Sequence, residues 1–481
     1  MQTRPIALLL FWISITSASV GAPPDDSMLR AGAATSNITP EIGVDIVGGF
    51  SPAPSKHVHD ELHARCLVLD DGKTKIAMVV CDLLGFHRSV SIEARRLIQE
   101  KTSIPPENVL ISCTHTHSAG SALGERNYES AQELDAYQIF LAKRIADGVQ
   151  RAVNVLRPAE LAFGTVDAPE HVFNRRWLMK DGTAPVNPFG KVDRVKMNPP
   201  GGSSNLIEPV GGTDPTVSFI ALREPSSRMI SVFSAYSLHY VGGVGDGHIS
   251  ADYYGMYCES LKKRLAASDK DPPFVALMAN GTSGDINNVD FRKPRPSKPK
   301  YEQMRYVAED LADKVYAALD RLEWKHHAVL GARFRELAIQ RREVDDALLA
   351  WVQQTEANVS GLLKKADLST IYANRVKKLA KASPIITIPV QAIRIGDLCI
   401  GTSPCETFVE TGLAFKKRSA FPSSFMVELA HGYFGYLPTP RHFPLGGYET
   451  WPGTNQLEPQ ASERILDALV DMSAELKAMG N

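Results

Sequence analysis

Cysteine is scarce in this chain. Six thiols in 481 residues cannot staple a fold of this length, which excludes a disulfide scaffold, and no Cys-x-x-Cys pair marks a redox motif or a zinc ribbon. Charge of one sign is also lacking. Lys plus Arg is 53 and Asp plus Glu is 54, for a formal net charge of -1. No run of like charges forms a basic nucleic-acid arm or an acidic tail. There is no repeat of fixed period and no low-complexity tract. Past the N-terminus no apolar run is long enough to cross a bilayer. With 44% hydrophobic and 22% charged residues, the chain has the proportions of a globular protein. Its length allows roughly two to three domain-sized units, or one large α/β unit.

The N-terminus stands apart. Met1 to Arg4 carries a positive charge, Ile6 to Ile15 is apolar, and Thr16 to Ala22 is mostly small residues. This pattern predicts a secretory signal peptide over residues 1–22. The mature protein is therefore expected to be secreted or periplasmic, with no membrane span. Cys66, Cys81, Cys113 and Cys399 lie in apolar strand-like runs and Cys258 and Cys405 outside them. Buried small hydrophobes are the expected role, although export is compatible with one disulfide.

Strand and helix signals alternate, which predicts an α/β fold with a mixed β-sheet and flanking helices. Cys66–Leu69 and Lys75–Asp82 flank Asp70-Asp71-Gly72, a hairpin signal. Val109–Cys113, Val217–Leu222, Met229–Ala235, Phe274–Met278, Val329–Ile339 and Ile385–Gly401 read as further strands. Helical periodicity covers Ser91–Glu100, Ala131–Leu156, Tyr253–Ala267, Glu302–Leu322, much of Asp345–Lys381, and Ser462–Met479. The stretch Asp181–Asp214 reads as a long Gly- and Pro-rich loop, and a loop of that length suggests a lip of the active site.

The strand Val109–Cys113 runs straight into Thr114-His115-Thr116-His117-Ser118. In an extended segment residues i and i+2 share a face, so the two imidazoles are expected in the same space at a strand end, where α/β sheets bind ligands. They are two metal ligands, one ligand and one proton donor or oxyanion partner, or plain surface or satisfied histidines. His239 also follows a β-rich run, and Asp252, shortly after it, is an N-cap candidate, with His248 expected in a loop. Ser403-Pro404-Cys405-Glu406 has the form of a capping box, which is the local expectation for Glu406. Yet a carboxylate joining two histidines is also a zinc-hydrolase set. Gly284-Asp285-Ile286-Asn287-Asn288 follows a buried strand, and His431 to Tyr436 is rich in Tyr and Gly. The cluster His57, His59 and His63 has the composition of a metal site, but it reads as loop with no ligand spacing, and a non-ligand role is expected.

Taken together these segments resemble the catalytic domain of the neutral/alkaline non-lysosomal ceramidase family. The resemblance runs from about Ala31 to the C-terminus, residue 481. Its carriers are Ile111 to Ser118, Asn174-Arg175-Arg176, His239, Gly284-Asp285, Pro404-Cys405-Glu406, Tyr433-Phe434-Gly435-Tyr436 and Tyr448-Glu449. It implies a single large catalytic domain with one zinc ion (Zn2+) held by His115, His239, Glu406 and Tyr436. It also implies substrate-facing roles for His117, Arg175 and Tyr448, and hydrolysis of an amide N-acyl bond by zinc-activated water. Two departures are expected to matter. Asn287 stands where the family carries an active-site serine, and the family's C-terminal immunoglobulin-like domain is expected to be lacking. The expected partner is a small-molecule or lipid N-acyl substrate, with no nucleic acid. The alternatives are a non-lipid acylated ester or amide as substrate, and a zinc-bearing binding protein without catalysis.

Overall fold

The computed structural model describes residues 28–49, 52–124, 132–267, 271–359 and 367–480. The expected signal peptide lies outside the described residues. Among them, no helix is long and apolar enough to cross a membrane.

Three larger sheets build the fold. The first contains β1 (Arg30–Asn37), β2 (His63–Asp70), β3 (Lys75–Cys81) and β4 (Val109–Cys113), in the order β4-β3-β2-β1, with the short strand Arg157–Pro158 at its edge. The second contains β5 (Glu160–Asp167), β6 (Thr216–Arg223), β7 (Met229–Tyr236) and β8 (Val275–Asn280), ordered β8-β7-β6-β5. The third contains β9 (Leu330–Gln340), β10 (Ile385–Ile395), β11 (Leu398–Thr402) and β12 (Ser423–Val427), ordered β9-β10-β11-β12. Each sheet is mixed, with a single parallel pair: β3 with β4, β7 with β8, and β11 with β12. The expected mixed α/β architecture is therefore present, divided among three sheets.

The inner faces of all three meet in one core. Leu67, Met78 and Val80 come from the first sheet, Ile220, Phe233 and Leu277 from the second, and Ile393, Ile400 and Phe425 from the third. The outer faces bury against helices. α1 (Arg88–Thr102) and α2 (Ala136–Asn154) cover the first sheet, and α3 (Asp252–Arg264) and α4 (Glu302–Leu319) cover the second. α5 (Asp346–Val359) and α6 (Leu368–Lys381) form a separate pair against Phe189, while α7 (Val409–Arg418) and α8 (Ala461–Ala478) cover the third sheet. Strands buried on both faces need apolar residues at every position, which is why they read as continuous hydrophobic runs.

Four local expectations change. α2 begins at Ala136, because Asp135 and Gln138 close a capping box there. The stretch Asp181–Asp214 is interrupted by Val195–Met197 and Leu206–Pro209, which pair on either side of Arg176–Met179. Asp252 is not the N-cap of α3. It sits inside the helix start at φ 58, and its carboxylate accepts the N–H groups of Val241 at 3.0 Å and Gly242 at 2.8 Å. The Ser403–Glu406 capping box does not form, because α7 starts only after Phe408 and Glu406 belongs to a short strand. All six cysteines are buried and free.

Phe233→Ala, which empties the junction of the three sheets, is expected to cost about 3–5 kcal/mol. Ile92→Ala, on the exposed face of α1, should change stability by less than about 0.5 kcal/mol. Denaturant midpoints of the two variants compare them directly.

Candidate metal centre and active site

The C-terminal ends of the parallel pairs converge, and the site lies where they meet. β4 leads to His115, β7 to His239, β8 to Ser283, β11 to Glu406 and β12 to Glu428. Past Cys113 the chain does not stay extended, since His115 has φ 69. The turn still brings the rings together: His115 Nε2 lies 3.1 Å from His117 Nε2. His239 joins them, and one ring nitrogen of each of the three histidines lies within 4.8 Å of the other two. Gly48 backs His117 so closely that a Cβ there would fall 2.5 Å from His117 Nδ1. Tyr240 stacks on the other side of that ring, with centroids 3.7 Å apart.

Glu406 enters from the third sheet. Its short strand Glu406–Thr407 pairs in parallel with Tyr436–Leu437, so Glu406 and Tyr436 are register partners. Glu406 Oε2 lies 3.2 Å from His115 Nε2 and 3.7 Å from His239 Nε2. The Tyr433 hydroxyl donates to the other oxygen, Oε1, at 2.6 Å. Tyr436 OH accepts from Arg175 Nη2 at 3.0 Å, and the Tyr448 ring lies 5.6 Å from that of Tyr436. The structure thus gathers His115, His117, His239, Glu406, Tyr436, Arg175 and Tyr448 in one place. Asn287 is not among the residues that line the cavity: its side chain bonds to Asn198 at 2.9 Å and to Asn288 at 3.3 Å.

The donor set suits a zinc ion. His115 Nδ1 faces the Leu84 carbonyl at 2.7 Å and His239 Nδ1 faces the Ser283 carbonyl at 3.2 Å. Those contacts place the ring protons on Nδ1 and turn both Nε2 lone pairs inward, the usual arrangement behind a histidine ligand. His239 Nε2 and Glu406 Oε2 are buried with no hydrogen-bond partner. Unpartnered buried acceptors of this kind are costly unless something else satisfies them. Two imidazole nitrogens and a carboxylate match the ligand types zinc accepts.

The electrostatics are consistent with that. Burial, then the neighbouring cationic and imidazole groups, hold His117 and His239 well below the ordinary histidine pKa, so both rings are neutral. Burial would raise Glu406, but His115 and the hydroxyls of Tyr433 and Tyr436 outweigh it and keep the carboxylate ionised. Burial pushes the phenols of Tyr436 and Tyr448 up, with Arg175 pulling the other way. Arg175 keeps its charge despite burial because Tyr436, Glu449 and Glu406 surround it.

Residue-by-residue reading of the sequence missed the groups that hold these in place. Tyr433 fixes Glu406 and Tyr240 braces His117. Ser283 supports His239 and donates through Oγ to Glu428 at 2.7 Å. Glu449, fully buried, bridges two arginines, accepting from Arg175 Nε at 3.1 Å and from Arg176 Nη1 at 2.5 Å. The adjacent pair Arg175-Arg176 ahead of an apolar stretch was a usable signal, since two buried guanidiniums require a carboxylate.

A mixed α/β scaffold that delivers two histidines, a glutamate and a tyrosine to converging strand ends, with an arginine beside them, has the form of a metallohydrolase. The chain belongs to the neutral/alkaline non-lysosomal ceramidase family, a family of amide-bond hydrolases, whose N-terminal model matches residues 30–290, more than half of its length. It is 23% identical over 286 residues to neutral ceramidase A of Dictyostelium discoideum, a match covering 57% of this chain and 38% of that protein. Its fold is similar to a solved ceramidase complexed with C2, with TM-score 0.69, 17% identity, and coverage of 94% of this chain and 76% of that one. It is also similar to neutral ceramidase from Pseudomonas aeruginosa, with TM-score 0.67, 17% identity, and coverage of 95% and 75%.

Glu449→Ala leaves two buried guanidiniums without their carboxylate. The expected cost is about 3–5 kcal/mol, read as a shift in denaturation midpoint, and Arg176→Met in the same background should recover part of it.

Proposed function

We propose that the chain is an exported zinc-dependent hydrolase of N-acyl bonds. The observation that carries this is the pair of unpartnered, buried acceptors, His239 Nε2 and Glu406 Oε2, facing the His115 ring. His115, His239, Glu406 and Tyr436 are the proposed ligands. Zinc bound there would lower the pKa of water to about 7 and polarise the scissile carbonyl.

The protein's own groups supply the rest. Neutral His117 can carry a proton from the attacking water to the leaving nitrogen. Tyr448, protonated because burial raises its phenol, can donate to the oxygen that becomes negative in the transition state. Arg175 donates to Tyr436 and so favours its ionised form. Asn287 is assigned no proton transfer, since its amide is engaged by Asn198.

The cavity above this floor is about 330 Å³, near the lower end of small-molecule sites. Its walls combine Leu84, Leu123, Ile371 and Ile386 with Arg88, Arg375 and Lys378. A cavity of that size with a cationic wall favours short or polar acyl compounds over long-chain ceramide. The second reading, a non-lipid acylated ester or amide as substrate, rests on the same wall.

Glu406→Gln is expected to lose the zinc and abolish turnover, with stability little changed; near-normal activity would return Glu406 to a structural role. Tyr448→Phe and Arg175→Ala should keep the metal and lower kcat by about 10²–10³. A panel of short-chain, long-chain and charged N-acyl and O-acyl substrates, with and without chelator, tests the substrate reading. Faster turnover of long-chain ceramide than of any short or polar substrate would refute it.

A further inference from the structure

We propose that His57, His59 and His248 form a second, surface site for a divalent transition-metal ion of the zinc, nickel or cobalt type, and that the ion fastens the glycine-rich loop Val241–Gly247 to the segment ahead of β2. In sequence, His57 and His59 stand close to His63. The fold separates them: His63 enters β2 opposite Asn37, and its place is taken by His248, almost two hundred residues away.

Backbone pairing builds the cluster. The short strands His57–Val58 and His248–Ile249 lie parallel with His57 opposite His248. Lys56 N donates to Gly247 O at 2.8 Å and His59 N to Ile249 O at 2.9 Å, which extends the pairing on both sides. His59, two residues past His57, projects to the same face. One ring nitrogen of each of the three lies within 4.8 Å of the other two, and the His57 and His248 rings are 4.6 Å apart.

The surroundings are those of a ligand set rather than of three incidental surface rings. Tyr301 orients two of them. Its hydroxyl is hydrogen-bonded to His248 Nδ1, leaving Nε2 for another partner, and its ring stacks on His59 at 3.8 Å. Tyr301 OH also accepts from Gly245 N at 3.0 Å, and Tyr301 N donates to Gly243 O at 2.9 Å, so the same residue ties the loop to the cluster. Among the described residues, neither the His57 nor the His59 ring makes a hydrogen bond, and none of the three forms an ion pair. The contrast with Glu170, His171 and Asp310 is informative. That group is equally close-set, but Lys314 already pairs with both of its carboxylates.

An all-imidazole set selects zinc, nickel, cobalt or copper over calcium or magnesium, which want oxygen. Three histidines also leave a coordination position for water. The consequence lies in the loop. It starts at Tyr240, the ring stacked on His117, and ends at His248, with Gly242, Gly243 and Gly247 all at positive φ. An ion at the far end would restrain a segment whose near end braces the active site.

The test uses the full chain, stripped with chelator, reloaded with Zn2+ and dialysed before the metal is counted. Wild type should hold one more ion per chain than the His57→Ala/His248→Ala double variant, whatever the active site retains. His239→Ala addresses the active-site ion separately and should leave the surface ion in place, so failure of one site is distinguishable from failure of the other. Zn2+ should also slow amide exchange across Gly242–Gly247 in wild type but not in the double variant. If the double variant and wild type bind equal amounts of zinc, the proposal fails. The single variant His59→Gln, at an exposed position, guards against a folding artefact: it should weaken retention of the same ion, and unchanged retention would also overturn the proposal.

Discussion

One short segment makes the three sheets into one protein. Leaving β12, the chain runs Glu428-Leu429-Ala430-His431 and hydrogen-bonds to every sheet in turn. Glu428 N donates to Asn280 O of the second sheet at 3.1 Å, Ala430 N to Ser403 O beside the third at 3.0 Å, and His431 N to Ile111 O of the first at 2.8 Å. Cys113 N returns a bond to Leu429 O at 3.1 Å. Leu429 and His431 both sit at positive φ to do this, a conformation that side chains other than glycine's adopt only when the surroundings enforce it. Because the segment ties together the C-terminal ends of the parallel pairs, it sets where His115, His239 and Glu406 meet.

The same junction explains the polarity of the centre. Strands buried on both faces end in a region where backbone groups run out of ladder partners, and side chains must satisfy them. Asp252 takes two N–H groups from the loop after His239, Asp285 takes Val409 N at 2.9 Å, and Glu428 takes Thr407 N at 2.6 Å. These carboxylates are structural. Glu406 differs from them in one respect: Tyr433 satisfies one oxygen, and the other is left facing two imidazoles. Acidic residues that look alike in sequence therefore differ in role: Asp252, Asp285 and Glu428 fasten backbone, while Glu406 keeps an unsatisfied oxygen facing the imidazoles.

Membership in the ceramidase family fixes the scaffold more firmly than it fixes the substrate. The match to the Dictyostelium relative spans 38% of that protein, and the solved relatives share 17% identity with this chain. At that distance the strand ends can persist while the walls change. Here α6 supplies Ile371, Arg375 and Lys378 to the cavity, and these residues belong to a peripheral layer, outside the three sheets.

Much of the scaffold was legible in the residues. Continuous apolar runs mark strands buried on both faces, and the helices show their 3.6-residue period, so most elements appear where expected. Sequence also marked His-Thr-His and Pro-Cys-Glu as candidates at strand ends, and the fold brings His115, His117 and Glu406 together. Three things only the tertiary structure decided. Local rules made Ser403 a cap and Glu406 its partner, but hydrogen bonds to the strand Tyr436–Leu437 overrode that preference, as long-range pairing does when it satisfies more backbone groups. The number of sheets follows from packing between inner faces, which no periodicity records. The partners of buried polar groups come from distant sequence: Glu449 for Arg175, Glu428 for Ser283, Tyr433 for Glu406. Local patterning reports which face of an element is buried. Which elements bury each other is settled by long-range contacts, and those set the position of every group in the site.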